Sequence, residues 1–174
     1  MIFSIKFLYN FCIFFLLFNL SFSGLDTLKI LNYNIYGLHP ILIHLDKMEE
    51  NNKFRIESIF NESRKYDIIL IQENWVYQDL IKKIMNKHKI IISEKTNFLI
   101  KNNSKRSSGL NIAFDNSFNI DSFEENLFSD CSGYLFDSND CLASKGFIYS
   151  LISNDIYKIN LYVTHLDAGN STND

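Results

Sequence analysis

The first β-rich segment of the chain alternates between apolar and polar residues. In Leu28–Tyr36 the side chains of Asn32 and Asn34 fall on the opposite face from those of Leu31, Tyr33 and Ile35, which predicts a β-strand. Asp67–Glu73 differs, because Ile and Leu fill its centre without alternation. A continuous apolar run is typical of a strand covered on both faces, so this segment favours an α/β sandwich over a one-sided sheet.

Two segments carry the spacing of amphipathic helices. Phe54–Tyr66 places apolar residues three to four positions apart among charged ones, and Asn51 or Asn52 could cap its start. Tyr77–His88 also has four apolar residues at helical spacing. The order strand, helix, strand, helix predicts helices that pack on a sheet.

The remainder of the chain is richer in short strand patterns. Gly146–Ile152 and Ile156–Val163 flank the polar loop Ser153–Asp155, which predicts two adjacent antiparallel strands. Ser122–Ser144 is polar and without period, and we expect a loop on the side of the active site. Three further short strands are predicted at Ile90–Ile92, Phe98–Ile100 and Leu110–Phe114.

The N-terminal segment predicts entry into the secretory pathway. Lys6 is the only charged residue before Asp26, and Phe7–Phe22 is almost wholly apolar, the pattern of a signal peptide. The apolar run has about 16 residues where a bilayer span needs roughly 20, so we favour a signal peptide over residues 1–23 and one domain over residues 24–174. An uncleaved membrane anchor stays open. Both interpretations place the domain in the secretory-pathway lumen or outside the cell.

The composition is that of a globular domain in which basic residues do not outnumber acidic ones. The chain has 17 Lys and Arg against 20 Asp and Glu, a formal net charge of −3, and 47% hydrophobic residues. This balance gives no electrostatic indication of nucleic-acid binding, which makes that partner less favoured without excluding it. Cys131 and Cys141 follow the signal segment, and an oxidising compartment permits a disulfide between them. Two free thiols are the alternative.

Three polar residues end apolar strand patterns and are candidates for chemistry. They are Asn34, Glu73 and His165. Each alone has an ordinary interpretation as a turn former, a solvated strand end or a buried histidine. Together, a carboxylate beside an amide oxygen suits Mg²⁺, which prefers oxygen ligands and keeps several waters. A nearby histidine supplies a donor for a phosphoryl oxygen or a leaving group.

The order and setting of these residues resemble the endonuclease/exonuclease/phosphatase superfamily. The resemblance covers 28–169 and rests on LNYNIY around Asn34, DIILIQE ending in Glu73, SGLNIAF at 108–114 and LYVTHLDAG after residue 160. It implies a four-layer α/β sandwich of the DNase I-like type and a Mg²⁺ cofactor. By the same resemblance Glu73 is a metal ligand, Asn34 a metal-side or phosphate-side amide, and His165 a catalytic residue that contacts the scissile phosphate.

A further segment resembles the neutral sphingomyelinase branch of that superfamily. Asp140 and Lys145 stand in the arrangement D-x-x-x-x-K-G, which the resemblance places at the lipid headgroup site, with Asp140 holding Lys145. It implies hydrolysis of sphingomyelin to ceramide and phosphocholine at a membrane surface. The alternatives are a secreted DNase-like nuclease or a phosphoinositide phosphatase of the same superfamily, or a non-catalytic fragment. Lys145 and Asp140 are the residues that discriminate among them.

The chain also departs from the superfamily pattern. Members continue with a G-D-x-N motif and a terminal S-D-H motif, and neither occurs in these 174 residues. The chain therefore resembles the first half of the sandwich, and we expect it to be catalytically inactive as it stands. A truncated gene model, a split gene and a decayed copy are equally compatible with the sequence.

Overall fold

A computed structural model of the chain describes residues 27–37, 46–95, 107–129 and 144–166, with side chains from residue 51 onward in the second range. These ranges form a mixed α/β domain with two sheets. In chain order the elements are β1 (Ile30–Gly37), α1 (Asp46–Ser63), β2 (Ile68–Asn74), α2 (Gln78–Ile84), β3 (His88–Ile92), β4 (Asn111–Asp115), β5 (Asn119–Leu127), β6 (Gly146–Ser153) and β7 (Lys158–Thr164).

The first sheet has the strand order β1-β2-β4-β3. β1 and β2 run parallel, with Asn34 opposite Gln72, whereas β2 and β3 are both antiparallel to β4. α1 connects the parallel pair, as such pairs require a crossover. The centre of β2 is buried on both faces, which confirms the prediction from its continuous apolar run.

The second sheet has the order β5-β6-β7 and is antiparallel throughout. β6 and β7 pair from Phe147 opposite Thr164 to Ser153 opposite Lys158, so the predicted hairpin is confirmed. β7 begins two residues later than the pattern suggested, because Ile156 lies in the turn and is 64% exposed.

Two apolar clusters hold the layers together. One lies between the sheets and includes Ile112 and Phe114 of the first sheet with Ile148 and Val163 of the second. The other lies between the first sheet and the helices and includes Ile56 and Phe60 of α1 with Ile81 of α2. Each fully buried side chain of this size contributes roughly 1.5 to 3 kcal/mol. The described ranges thus form a sandwich of helices, sheet and sheet, in agreement with the predicted α/β fold.

Two sequence-based predictions are wrong in detail. α1 begins at Asp46, so Asn51 and Asn52 lie inside the helix and do not cap it. The first part of the predicted loop Ser122–Ser144 is strand β5, which extends to Leu127. β5 is an edge strand with most of its residues exposed, so it lacks the apolar face by which a sequence reveals a strand.

Several predictions concern residues outside the described ranges. These are the signal segment, the strand at Phe98–Ile100, and the side chains of Cys131, Asp140 and Cys141. They stay predictions. Among the described residues, neither helix is long and apolar enough to cross a membrane.

Candidate active site

The candidate active site lies where strands of the two sheets end. Asn34 is near the carboxyl end of β1 and Glu73 near that of β2, and because these strands are parallel both residues reach the same sheet edge. On the second sheet Lys145 directly precedes β6 and His165 directly follows β7. The antiparallel pairing of β6 and β7 brings these two residues together. The fold therefore gathers four of the five residues predicted from the sequence.

Polar contacts connect these four side chains in a row. Asn34 Nδ2 donates to Glu73 Oε1 at 2.9 Å, and His165 Nε2 lies 3.3 Å from the same oxygen. Lys145 Nζ is 3.4 Å from His165 Nδ1. A neutral imidazole with its proton on Nε2 satisfies these two contacts, since Nε2 then donates to the carboxylate and Nδ1 accepts from the ammonium.

The three ionisable side chains of the row are largely shielded from solvent. Lys145 is only 5% exposed, and the Glu73 and His165 side chains are 12% and 24% exposed. Coulomb interactions between partly buried groups are screened less than those on the surface. Lys145 Nζ also lies 3.5 Å from the carbonyl oxygen of Leu166, so the ammonium is held against the segment that carries His165.

The backbone around Glu73 and Tyr36 has left-handed conformations. Their φ angles are 60° and 50°, a region that residues with a side chain enter at a cost. Gly37 leaves room for this arrangement, because a Cβ there would lie 2.6 Å from the Glu73 carbonyl oxygen. Arg55 of α1 donates to the carbonyl oxygens of Ile35 at 2.8 Å and Tyr36 at 3.2 Å. α1 thereby fixes the end of β1.

Arg55 and the buried amides of Asn74 and Asn111 also belong to the surroundings of the site, and the sequence pattern does not predict them. Both asparagines are fully buried, and Asn74 Nδ2 donates to Asn111 Oδ1 at 2.5 Å. A signal was present for Asn111, since it is the one polar residue between Leu110 and Ala113. Arg55 gave no signal, because its carbonyl partners are backbone groups that no sequence pattern marks.

The donor set fits one hard cation in part. Both contacts of Glu73 with described side chains use Oε1, and within the described ranges no hydrogen bond reaches Oε2. Asn34 Oδ1 accepts from Tyr36 N at 2.9 Å and keeps a second lone pair. The described residues contain no cluster of three or more His, Cys, Asp or Glu that could hold a metal. One carboxylate with several waters is a usual way to hold Mg²⁺, so the role of Glu73 as its ligand stays a chemically sound prediction.

Comparison with solved structures identifies the fold. TDP2 from D. rerio complexed with a single-strand DNA product matches with a TM-score of 0.57 and 14% identity, over 83% of this chain and 48% of that one. An endonuclease/exonuclease/phosphatase family protein from Bacteroides thetaiotaomicron matches with a TM-score of 0.56 and 12% identity, over 80% and 51%. A mannosyl-6-phosphatase from the same bacterium gives 0.58 and 13%, over 81% and 52%.

These matches show the endonuclease/exonuclease/phosphatase fold, as the resemblance predicted. The chain spans about half or less of the length of the solved proteins. No family model matches the chain, and no curated protein matches it. At these identities the likeness concerns the fold, and function has to be argued from the site.

Proposed function

We propose that the chain belongs to the endonuclease/exonuclease/phosphatase superfamily and contributes the metal and phosphate side of a Mg²⁺-dependent hydrolase, a phosphodiesterase that converts sphingomyelin to ceramide and phosphocholine. The observation that supports it is the connected row across two sheets, in which the Glu73 carboxylate receives Asn34 on one side and His165 on the other. An acid, a histidine and a shielded lysine at one edge are the groups that phosphate-ester chemistry needs.

Each residue has a role that follows from its contacts. Mg²⁺, when bound, would polarise a phosphoryl oxygen. Glu73 would hold the cation, and Asn34 orients the Glu73 carboxylate by donating to its Oε1. With a proton on Nε2, His165 can pass that hydrogen bond from Glu73 to an oxygen of the scissile phosphate.

Lys145 supports the sphingomyelin assignment. Its ammonium lies next to His165 and is almost fully buried, so it can offset negative charge that develops on the phosphodiester. We propose that Asp140 holds this ammonium, as the D-x-x-x-x-K-G resemblance implies. Secretion, inferred from residues 1–23, would bring the enzyme to the non-cytosolic membrane leaflet, where sphingomyelin is the proposed partner.

A second candidate function is a nuclease or phosphatase that uses the same residues. The solved structures with this fold include one with a single-strand DNA product and one mannosyl-6-phosphatase. Asn34, Glu73 and His165 serve either chemistry equally. The D-x-x-x-x-K-G resemblance at Asp140 and Lys145 is what favours the lipid substrate.

Metal binding by the full chain tests the first part of the proposal. Trp75 is the only tryptophan and lies two residues after Glu73, so its fluorescence reports on Mg²⁺ in a titration. We expect Glu73→Ala to weaken Mg²⁺ binding at least about tenfold, because it removes the carboxylate ligand. Glu124→Ala, which alters an exposed carboxylate on β5, is the matched control. Equal affinity in the two variants would contradict the assignment.

Headgroup binding tests the second part. In the presence of Mg²⁺ we expect the chain to bind phosphocholine more tightly than thymidine monophosphate, and Lys145→Met to weaken phosphocholine binding. A preference for the nucleotide that survives Lys145→Met would favour the nuclease. If the chain binds Mg²⁺ but neither phosphocholine nor thymidine monophosphate, the metal site is supported and both proposed substrate classes are contradicted.

A further inference from the structure

The conformation of Glu73 requires an explanation beyond sheet pairing. The β2 and β4 register is regular from Ile68 opposite Phe114 to Ile71 opposite Asn111, and Glu73 then turns into the left-handed region with φ of 60°. Such a conformation persists only where the surrounding structure over-determines it, and it is found at functional sites. The turn directs the carboxylate out of the strand pattern and toward Asn34.

Three hydrogen bonds outside the strand ladder hold Asn74, the residue after Glu73. Asn74 N donates to Gly109 O at 2.8 Å, and Asn74 Nδ2 donates to Asn111 Oδ1 at 2.5 Å. Asn74 Oδ1 accepts from Tyr77 N at 3.1 Å. Asn111 is fixed in turn, because its Nδ2 donates to Leu110 O at 2.7 Å. Every polar atom of the two side chains thus has a partner.

The fold alone does not call for this amide pair. Both asparagines are 0% exposed, and burying polar groups is unfavourable unless each finds a partner. Two apolar side chains of similar shape can replace the contact between the two amides at little cost in stability, with the loss of the hydrogen bond that Tyr77 N donates to Asn74. What an apolar pair could not do is fix the position of residue 74, and hence of the carboxylate that precedes it.

We propose that Asn111 acts through Asn74 as a positioning residue for the Glu73 carboxylate. The Asn111 amide fixes Asn74, Asn74 keeps the backbone of Glu73 left-handed, and the carboxylate therefore faces Asn34 and His165. The reason to position the carboxylate rests on the proposed function, in which Glu73 is a metal ligand. The contacts of Glu73 with Asn34 and His165 can be tested without a metal.

The full chain with Asn111→Leu tests the proposal, and Ile112→Val is the control because it alters the adjacent buried position without touching an amide. Loss of such an orienting partner typically weakens metal binding about 10- to 100-fold. We expect that loss for Asn111→Leu in the Trp75 titration and an unchanged affinity for Ile112→Val. A folded Asn111→Leu protein with unchanged affinity would overturn the proposal.

A second readout keeps the inference separate from the proposed function. In metal-free protein the ring nitrogen signals of His165, observed by NMR, report its contact with Glu73. We expect them to move in Asn111→Leu and to stay in Ile112→Val. If the wild-type chain binds no metal, the proposed function fails, but the positioning role can still be decided. His165 signals that move in Asn111→Leu support that role, and signals that do not move contradict it. Should Asn111→Leu not fold, Asn111→Ser, which is shorter and cannot reach Asn74, replaces it in both measurements.

Discussion

Glu125 carries a buried carboxylate that fastens the second sheet to the first. It is 6% exposed in β5, and its oxygens accept from Ser93 Oγ and from the backbone N–H groups of Glu94 and Lys95, both at 3.1 Å. Ser93 Oγ in turn lies 2.6 Å from Ser108 Oγ, next to the start of β4. Replacing Glu125 with alanine removes the acceptor on which these donors converge.

The expected loss of stability can be bounded from these contacts. Each buried donor left without its acceptor costs about 1 to 3 kcal/mol, so the three donors that lose Glu125 give about 3 to 9 kcal/mol in total. A cavity of about 730 Å³ lined by Ile92, Phe123 and Glu125 opens beside the carboxylate. Water can therefore reach the abandoned donors, which favours the lower end, about 3 kcal/mol.

Equilibrium unfolding in urea, followed by Trp75 fluorescence and circular dichroism, measures this loss. For a domain of this size about 3 kcal/mol corresponds to a fall in Tm of roughly 6 to 12 °C. Glu124→Ala is the matched control, since this neighbour in β5 is exposed, and we expect it to stay within about 0.5 kcal/mol of the wild type. If Glu125→Ala unfolds at the same urea concentration as Glu124→Ala, the carboxylate does not fasten the sheets and the reasoning fails.

Three further outcomes are expected. Arg55→Ala should lower stability by about 2 kcal/mol, because it removes two hydrogen bonds to carbonyls at the end of β1, and it should weaken Mg²⁺ binding in the same titration. The hydrogen bond from Ser117 N holds the pKa of Asp115 below its usual 3.8. The stability that this hydrogen bond contributes is therefore present above pH 3.8 and is lost as the pH falls through the lower pKa of the folded state. Asp115→Asn should therefore flatten the acid limb of the stability profile, and an unchanged limb would exclude this cause. Mass spectrometry of secreted, alkylated protein should show Cys131 joined to Cys141, whereas two alkylated thiols would reject the disulfide.

The sequence predicted the strands whose surroundings are apolar. β2 could be recognised because its run of Ile and Leu is buried on both faces, and the β6 and β7 pair because polar residues separate two apolar runs. β5 could not be recognised, since an exposed edge strand is held by hydrogen bonds to its neighbour and its own side chains show little of that pairing. A pattern of apolar residues thus reveals strands that are buried. It does not reveal a strand such as β5, which is formed by hydrogen bonds to its neighbour while its side chains stay exposed.

The same distinction separates the site residues that were predicted from those that were missed. Asn34, Glu73 and His165 could be identified because each ends a strand that the pattern revealed. Asn111 and Arg55 act on backbone and amide groups from other elements, at separations of 37 residues between Asn74 and Asn111 and 20 between Ile35 and Arg55. Such contacts depend on the register of β2 against β4 and on where α1 lies, which local sequence does not encode.

Gly109 offers a test of whether the strained loop beside Glu73 is held by conformation or by contact. Its φ is 69°, and a Cβ there would lie 2.6 Å from Trp75 Nε1 and 2.9 Å from two indole carbons. Alanine should cost about 1 to 2 kcal/mol for the left-handed conformation and about 1 to 3 kcal/mol for forcing the indole aside. Gly109→Ala is therefore expected to lose about 2 to 5 kcal/mol in the urea assay and to shift Trp75 emission.

Gly109→Asn separates the two contributions, because asparagine enters the left-handed region far more readily but carries the same Cβ. If contact with Trp75 dominates, Gly109→Asn will lose nearly as much stability as Gly109→Ala and will shift the emission equally. If the backbone conformation dominates, asparagine will restore most of the stability. Since the Gly109 carbonyl accepts from Asn74 N, displacement of this loop should also reach Glu73 and weaken Mg²⁺ binding in both variants. A Gly109→Asn protein with wild-type stability, emission and Mg²⁺ affinity would show that the indole moves aside at no cost. The close packing of Trp75 on Gly109 would then have no part in holding the Glu73 carboxylate.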